Sequence, residues 1–433
     1  MIPRREFLKV STAALAAAAG PRHAQADDSP NERIVVGLIG CGGRGVHDAG
    51  LFRNTPGAEV AMVCDVDEER RGRAAAEFGL ASNQAVGDLR KMLDNRAIDA
   101  VVIATPDHWH SLAAILACDA GKHVYVEKPI SHNIREGRLL AEAAQRNNLR
   151  VQHGTQSRST RMMIDAVRQL REGAIGTVVA AKCWNVQHRG SIGRGQDCDP
   201  PPGLDYDNWV GPPEMIPYRS NRVHNRWTWW YHFGTGDMGN DGVHDIDYTR
   251  WGLGVDTHPN KVSAIGGKFL LDDDQEFPDT QQVAFEYVGD GSVGSRRMLV
   301  YEQRLWSKNY PRNVDSGAEF YGTAGQMFLS RRGKIELCDG DNKPVEVAIA
   351  PEPQNDVAHV RNFCEAIRGA AQLNADALTG HLSTSLCHLG NIATRLGRSL
   401  VFDPQTEHVV GDAEADALVR RRYRDHWGTP RDA

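Results

Sequence analysis

The stretch Ile34-Val35-Val36-Gly37-Leu38-Ile39-Gly40-Cys41-Gly42-Gly43-Arg44-Gly45 sets an apolar run of strand length directly before a glycine-rich turn, and a helical pattern follows. Alone, the GxGxxG spacing is a weak signal. Its context raises it, because a second apolar run, Val60 to Cys64, ends in Asp65, 20 residues past Gly45. In a dinucleotide-binding unit the glycines let the backbone approach a pyrophosphate at a helix N-terminus, and an acid at that distance binds the adenosine ribose hydroxyls. Asp65 repels the 2′-phosphate of NADP, which favours NAD; Arg70 and Arg71 follow closely and leave NADP possible.

The alternation continues outward from this unit. Ala100 to Ala104 reads as a strand, Ser111 to Ala120 as a helix and His123 to Val126 as the next strand. Strands alternating with helices imply a parallel sheet with right-handed crossovers, whose ligands bind beyond the C-terminal strand ends. Two such ends stand out: Thr105-Pro106-Asp107-His108-Trp109-His110 and Glu127-Lys128-Pro129. Lys128 points into the crevice where a nicotinamide would lie, and partial burial lowers an amine's pKa toward the range useful for proton transfer. The proline after it fixes the local backbone, with a cis peptide as one way of doing so.

The glycine turn, Asp65, Thr105-Pro106 and Glu127-Lys128-Pro129 together resemble the glucose-fructose oxidoreductase, inositol dehydrogenase and MocA (Gfo/Idh/MocA) family, over nearly the whole chain after the leader. The resemblance implies an α/β architecture: a Rossmann NAD(P)-binding domain over 32–155, then an α/β domain over 156–433 with an open, mostly antiparallel sheet. It implies hydride transfer between NAD(P) and a carbon of a sugar, polyol or related compound, and a homo-oligomer, dimer or tetramer. It places the cofactor on Gly40, Gly42, Gly43, Arg44, Gly45, Asp65, Thr105, Pro106, His110, Glu127 and Lys128. Lys128 becomes the lysine that holds the substrate hydroxyl and assists proton removal. The second motif resembles Gly239-Asn-Asp-Gly-Val-His-Asp-Ile-Asp247, with His244 as acid/base. Where many members carry an aspartate four residues earlier, this chain has Asn240; Asp241 or Asp245 is the alternative carboxylate, though neither occupies the matching position. On an α-helix Asn240 and His244 share one face, which lets the amide orient the imidazole.

Beyond residue 176 the pattern changes to strands with partial alternation: Thr177–Asn185, Lys261–Leu270, Gln281–Val288, Ser295–Gln303 and Glu319–Phe328. Between the first two lies an insertion rich in Gly, Pro and aromatics. Three of the nine tryptophans fall within Trp227 to Trp230, dense enough to offer flat faces to a sugar ring or to staple the insertion to the domain. His224, His232, His244, Asp245 and Asp247 lack the fixed spacing of metal ligands, so no metal is expected there. Asp356–Arg368 and Ala377–Leu396 read as amphipathic helices with core or interface roles.

Hydrophobic residues at 41% and charged residues at 24% are ordinary globular values, and a net charge of -6 over scattered arginines leaves no footprint for nucleic acid. Residues 1–26 combine paired Arg4-Arg5, an alanine-rich apolar run and Ala24-Gln25-Ala26, the pattern of a twin-arginine signal. The mature chain is then exported, periplasmic and free of the membrane. The eight cysteines show no paired spacing and read as packed thiols. Outside the cytoplasm no nicotinamide pool exists, so the cofactor has to stay bound. The leading function is an exported NAD(P)-dependent sugar oxidoreductase. A redox-neutral glycosidase or lyase working through a transient keto-sugar, and a binding protein without turnover, are the alternatives.

Overall fold

The computed structural model describes residues 33–430 except 225, so the leader read over 1–26 lies outside the described residues. Six short apolar runs form a parallel sheet: β1 (Ile34–Ile39), β2 (Ala58–Cys64), β3 (Ala85–Val86), β4 (Ala100–Ile103), β5 (His123–Val126) and β6 (Val151–His153). Their spatial order, β3-β2-β1-β4-β5-β6, reverses direction between β1 and β4. That reversal opens a crevice at the strand C-termini, which is where a doubly wound sheet binds its ligand. The central strands are near-continuous Val, Ile and Leu because helices cover both faces.

The second sheet has ten strands: β7 (Val178–Val186), β8 (Lys261–Gly267), β9 (Thr280–Tyr287), β10 (Arg297–Arg304), β11 (Ser316–Gly322), β12 (Gly325–Ser330), β13 (Lys334–Asp339), β14 (Pro344–Val345), β15 (Leu400–Asp403) and β16 (His408–Val409). Its order is β14-β13-β12-β11-β7-β10-β9-β8-β15-β16, and only β7 and β10 run parallel. This is the open, mostly antiparallel sheet anticipated above. Strict in-out alternation along β9 buries Val283, Phe285 and Tyr287 beneath helices Val243–Leu253 and Ala377–Leu396. Late in the chain, helix Asp356–Ile367 returns to the first sheet, where Phe363 meets Phe52 and Tyr125 edge-to-face at centroid distances of 5.9 and 6.0 Å.

Three boundaries differ from the sequence reading. Glu319–Phe328 is a hairpin of β11 and β12 turning at Thr323-Ala324 between Gly322 and Gly325, because alternation continues across a tight turn and hides it. The helix expected from Ser111 begins at Asp107, one residue after Pro106, whose fixed φ suits a helix start. β8 stops at Gly267, and Phe269 and Leu270 lie exposed beyond it. All eight cysteines are free thiols, six of them buried, and among the described residues no helix is long and apolar enough to cross a membrane.

Asp247, once a conceivable metal ligand, is a structural anion. It accepts from Arg158 Nε at 2.7 Å and Ser383 Oγ at 2.6 Å with no solvent exposure. Removing one partner of a buried pair strands the other, so Asp247→Ala should cost about 3–5 kcal/mol in urea unfolding. A loss below ~1 kcal/mol would show that the pair does not hold the helix Val243–Leu253 in place.

Candidate active site

The glycine turn reaches close to the backbone of β4. A Cβ on Gly40, which sits at φ +94°, would lie 2.6 Å from the Ala104 carbonyl oxygen, and a Cβ on Gly45 would lie 2.0 Å from the Gly40 oxygen. Gly43 faces open space. Helix Gly43–Arg53 starts on this turn with no side-chain cap, so its first N–H groups are left for an anion. Together these features wall a cavity of about 180 Å³ lined by Gly40, Gly42, Gly43, Arg44, Asp65, Thr105 and Pro106. The Thr105 hydroxyl is buried there with no hydrogen-bond partner among the described residues. A side-chain-free turn, an uncapped helix start and an orphaned hydroxyl fit a dinucleotide. Asp65 points into the turn: its carboxylate accepts the Cys41 amide at 2.7 Å and the Asp67 amide at 2.9 Å. Arg70 also lines the cavity, while Arg71 is spent on the Asp65 carbonyl at 2.7 Å.

Lys128 lies two residues past the end of β5, and the Lys128–Pro129 peptide is cis. Its amine donates to the Asn240 backbone oxygen and, at 3.0 Å, to the Asn240 Oδ1. An ammonium has three donors, so one remains for a bound hydroxyl. Asn240 lies in a π-helical turn, Met238–Gly242, that precedes the α-helix Val243–Leu253. The wider turn removes the shared face expected of Asn240 and His244. The amide instead donates to Asp237 at 3.1 Å and receives Lys128, and it does not orient the imidazole. His244 is buried, its Nδ1 without a partner among the described residues.

Asp241, the alternative carboxylate of the sequence, sits beside this pair together with two arginines, Arg189 and Arg331, that the sequence does not single out. Asp241 accepts from Gln187 Nε2 and Arg189 at 2.6 Å each and from Arg331 at 2.9 Å. Burial opposes its ionisation, but Arg331, Lys128 and Arg189 outweigh burial and hold its carboxyl well below the usual range. Burial, reinforced by Arg331 and Lys128, pushes the His244 imidazole far down, so it is neutral at ordinary pH. Asp107, buried and bonded to Thr235 Oγ1 at 2.6 Å, is pushed up by burial to about 7. Nothing in the spacing of Arg189 and Arg331 marks them in sequence, because they converge on Asp241 from separate elements.

Two residues expected at the cofactor, His110 and Glu127, brace the scaffold. His110 turns both ring nitrogens to carbonyls, Pro129 at 2.6 Å and Thr105 at 2.8 Å, and so braces the two strand ends against each other rather than facing the cavity. Glu127 is buried and receives Arg44 at 3.0 Å and Gln156 at 3.0 Å, which fixes the arginine of the glycine turn. The aromatic insertion also departs from the sugar-stacking reading. Trp229 and Trp230 are buried among Trp209, Val223 and Phe233 as a staple, and Trp227 lines the dinucleotide cavity. His224 and His232 go elsewhere, to Asp67 at 3.0 Å and the Glu214 carbonyl at 2.5 Å, so the five residues weighed as metal ligands do not converge.

The insertion and the chain's end form a strap over the cavity. Asn208, Trp209, His224, Trp227 and Trp427 line it. The strap is fastened by Glu68 N to the Gly203 oxygen at 3.0 Å, by Trp109 Nε1 to the Trp209 oxygen at 3.1 Å, and by Trp427 Nε1 to Asn208 Oδ1 at 3.0 Å.

Residues 34–155 match the description "Oxidoreductase family, NAD-binding Rossmann fold", and residues 178–429 match "Oxidoreductase family, C-terminal alpha/beta domain". The chain belongs to the Gfo/Idh/MocA oxidoreductase family. Its first sheet is therefore an NAD-binding Rossmann domain. Among Gfo/Idh/MocA relatives, scyllo-inositol 2-dehydrogenase (NAD(+)) of Bacillus subtilis is 26% identical over 302 residues, covering 69% of this chain and 74% of that protein. Glycosyl hydrolase family 109 protein 2 of Shewanella sp. (strain ANA-3) is 36% identical over 148 residues, 32% of each chain. The chain thus spans about a third of the length of that relative. In fold it is similar to levoglucosan dehydrogenase in complex with NADH, with a TM-score of 0.66, 18% identity, and 85% and 98% of the two chains covered. It is similar to aldose-aldose oxidoreductase from Caulobacter crescentus, with a TM-score of 0.66, 16% identity, and 86% and 100% covered.

Two outcomes follow from the geometry. Gly45→Ala should abolish co-purification of NAD, assayed in the supernatant of acid-denatured protein, with the far-ultraviolet circular dichroism unchanged; full retention of NAD would contradict the close approach at Gly40. For Asp107, the native value of about 7 stands above the ordinary 3.8, so the native state holds more protons than the unfolded chain between those limits. Stability from this group therefore falls as pH rises through that window. Relative to wild type, Asp107→Asn should gain in urea-unfolding stability from pH 4 to pH 7, and an opposite trend would remove the buried carboxyl from the account.

Proposed function

We propose that this chain is an exported oxidoreductase that moves a hydride between a tightly held NAD and a hydroxyl-bearing carbon of a sugar or sugar derivative. The observation that carries the reading is the Lys128 amine: it stands two residues past the C-terminal end of β5, on the same edge of the sheet as the glycine turn after β1, held by both oxygens of Asn240, with a donor to spare. The nicotinamide, when bound, would accept the hydride from one sugar's carbinol carbon and, since it does not exchange, would pass it to the carbonyl carbon of a second sugar, which closes the cycle. Lys128 holds the substrate hydroxyl and its charge favours the developing alkoxide. His244, kept neutral by burial and by the cations around it, is in the state that accepts a proton. Asp241 balances Arg189, Arg331 and Lys128, so the site can hold these cations together.

Several observations support the remaining parts. Sugar-related substrates are named for the relatives and neighbours: inositol for the Bacillus protein, levoglucosan and L-sorbose for complexes of levoglucosan dehydrogenase. The strap over the cavity favours a cofactor that does not exchange, as a chain with a twin-arginine leader requires. The exposed face of the second sheet carries Ile265, Val401, Met298 and Val179, a surface suited to a homodimer or tetramer. A second reading, redox-neutral glycoside cleavage, is favoured by the 36% identity to the Shewanella glycosyl hydrolase over 148 residues. Release of an aglycone without net cofactor reduction would select it.

Replacing Lys128 with Met should leave bound NAD near the wild-type amount and lower turnover at least ~100-fold, the usual size of a lost donor to a developing oxyanion. Turnover within a factor of ~3 of wild type would remove Lys128 from the mechanism.

A further inference from the structure

We propose that His258, His381 and Glu407 form a site for a zinc-class divalent cation, remote in sequence from the groups around Lys128. His258 follows the helix Val243–Leu253, His381 lies in the second turn of the helix Ala377–Leu396, and Glu407 sits in the turn between β15 and β16. Three segments thus deliver three metal-type ligand atoms to one point. His258 Nε2 is 2.7 Å and His381 Nε2 is 2.8 Å from the same Glu407 oxygen, Oε1. The two imidazoles meet nearly at right angles, with centroids 5.1 Å apart. Both histidines are essentially closed to solvent, and Glu407 is 10% exposed.

Hydrogen bonding alone accounts poorly for this convergence. Arg138 NH2 also donates to Oε1, at 2.5 Å, and Arg138 Nε lies 3.2 Å from both oxygens, so at least three N–H donors crowd Oε1 while among the described residues Oε2 has only that shared Nε. A carboxylate oxygen has two lone pairs, so one donor is surplus. A cation resolves the crowding: it takes the lone pairs of both Nε2 atoms and of Oε1, and Arg138 keeps Oε2. Binding through Nε2 puts the His381 proton on Nδ1, 3.4 Å from the Ser385 hydroxyl one helical turn on, the kind of outer partner that fixes a ligand's tautomer. The Glu407 backbone is held at φ +57°, a conformation non-glycine residues rarely adopt, and it aims the carboxylate at the two rings.

The ligand chemistry narrows the cation. Two imidazoles and one carboxylate suit zinc and its neighbours rather than calcium or magnesium, which take oxygen. Ligand atoms around tetrahedral zinc stand about 3.3 Å apart, so the two imidazole-carboxylate pairs need to open by only about half an ångström, with water as the fourth ligand. Buried this deeply, the cation would be structural, tying the β15–β16 turn to the helices Ala377–Leu396 and Ile134–Arg146, the latter through Arg138.

The test uses the full chain with Zn²⁺ and Co²⁺ as probes. After expression with zinc and dialysis into metal-free buffer, elemental analysis should find about one zinc per chain, and His258→Asn with His381→Asn should lower that at least ~10-fold. Cobalt-loaded wild type should show the intense visible bands of a tetrahedral site, and dipicolinate should lower the melting temperature of wild type but not of the double variant. Should the double variant not fold, the wild-type zinc content and cobalt spectrum still decide. Folded wild-type protein with less than a tenth of an equivalent of zinc, no cobalt bands and no chelator effect would reduce the cluster to a hydrogen-bond network and overturn the proposal.

Discussion

Lys128 belongs by its backbone to the segment just past β5 and by its amine to the π-helical turn Met238–Gly242, where both oxygens of Asn240 receive it. This one polar join sets the position of everything chemical around it. An amine inside a protein needs acceptors, and uncharged carbonyl oxygens hold it without forming a locked ion pair. Two donors are used and one is left, so the same contacts that hold the side chain leave it able to engage a hydroxyl. A carboxylate in place of Asn240 would bind the amine as a salt bridge and change how it shares work with His244.

The surrounding electrostatics follow from that choice. Without a carboxylate at 240, the cations Lys128, Arg189 and Arg331 are balanced by Asp241, which three donors hold ionised, and by buried Asp237. Burial first, and then Arg331 and Lys128, keep His244 neutral. A cation-rich pocket with a neutral imidazole stabilises negative charge as it develops on an oxygen and offers a place for the proton. The strap complements this by covering the dinucleotide: Trp209, Trp227 and Trp427 shield the cavity, and His224 reaches across to Asp67.

The first sheet was readable from the residues because its signals are local: a strand, a glycine turn and an acid at a fixed distance all lie within one βαβ unit. Lys128 was readable for the same reason, as a polar residue just past a buried strand. Asn240 was noticed as an oddity but assigned the wrong neighbour, since spacing of four implies one face only if the helix is α, and residues 238–242 are not. Trp229 and Trp230 could not be sorted from composition, because a ring that stacks on a sugar and a ring that staples a loop have the same sequence signature. Arg189 and Arg331 around Asp241, and His258 with His381 and Glu407, were invisible for a plainer reason: each set comes together only when distant segments pack.

The central claim, that the Lys128 amine faces the reactive end of a dinucleotide lying on the glycine turn, is open to one direct measurement. A crystal structure of the protein with the cofactor it retains through purification should show the pyrophosphate over Gly42 and Gly43 and the nicotinamide ring edge toward Lys128 Nζ. A dinucleotide bound with its nicotinamide directed away from Lys128, or a glycine turn that holds none, would contradict the account.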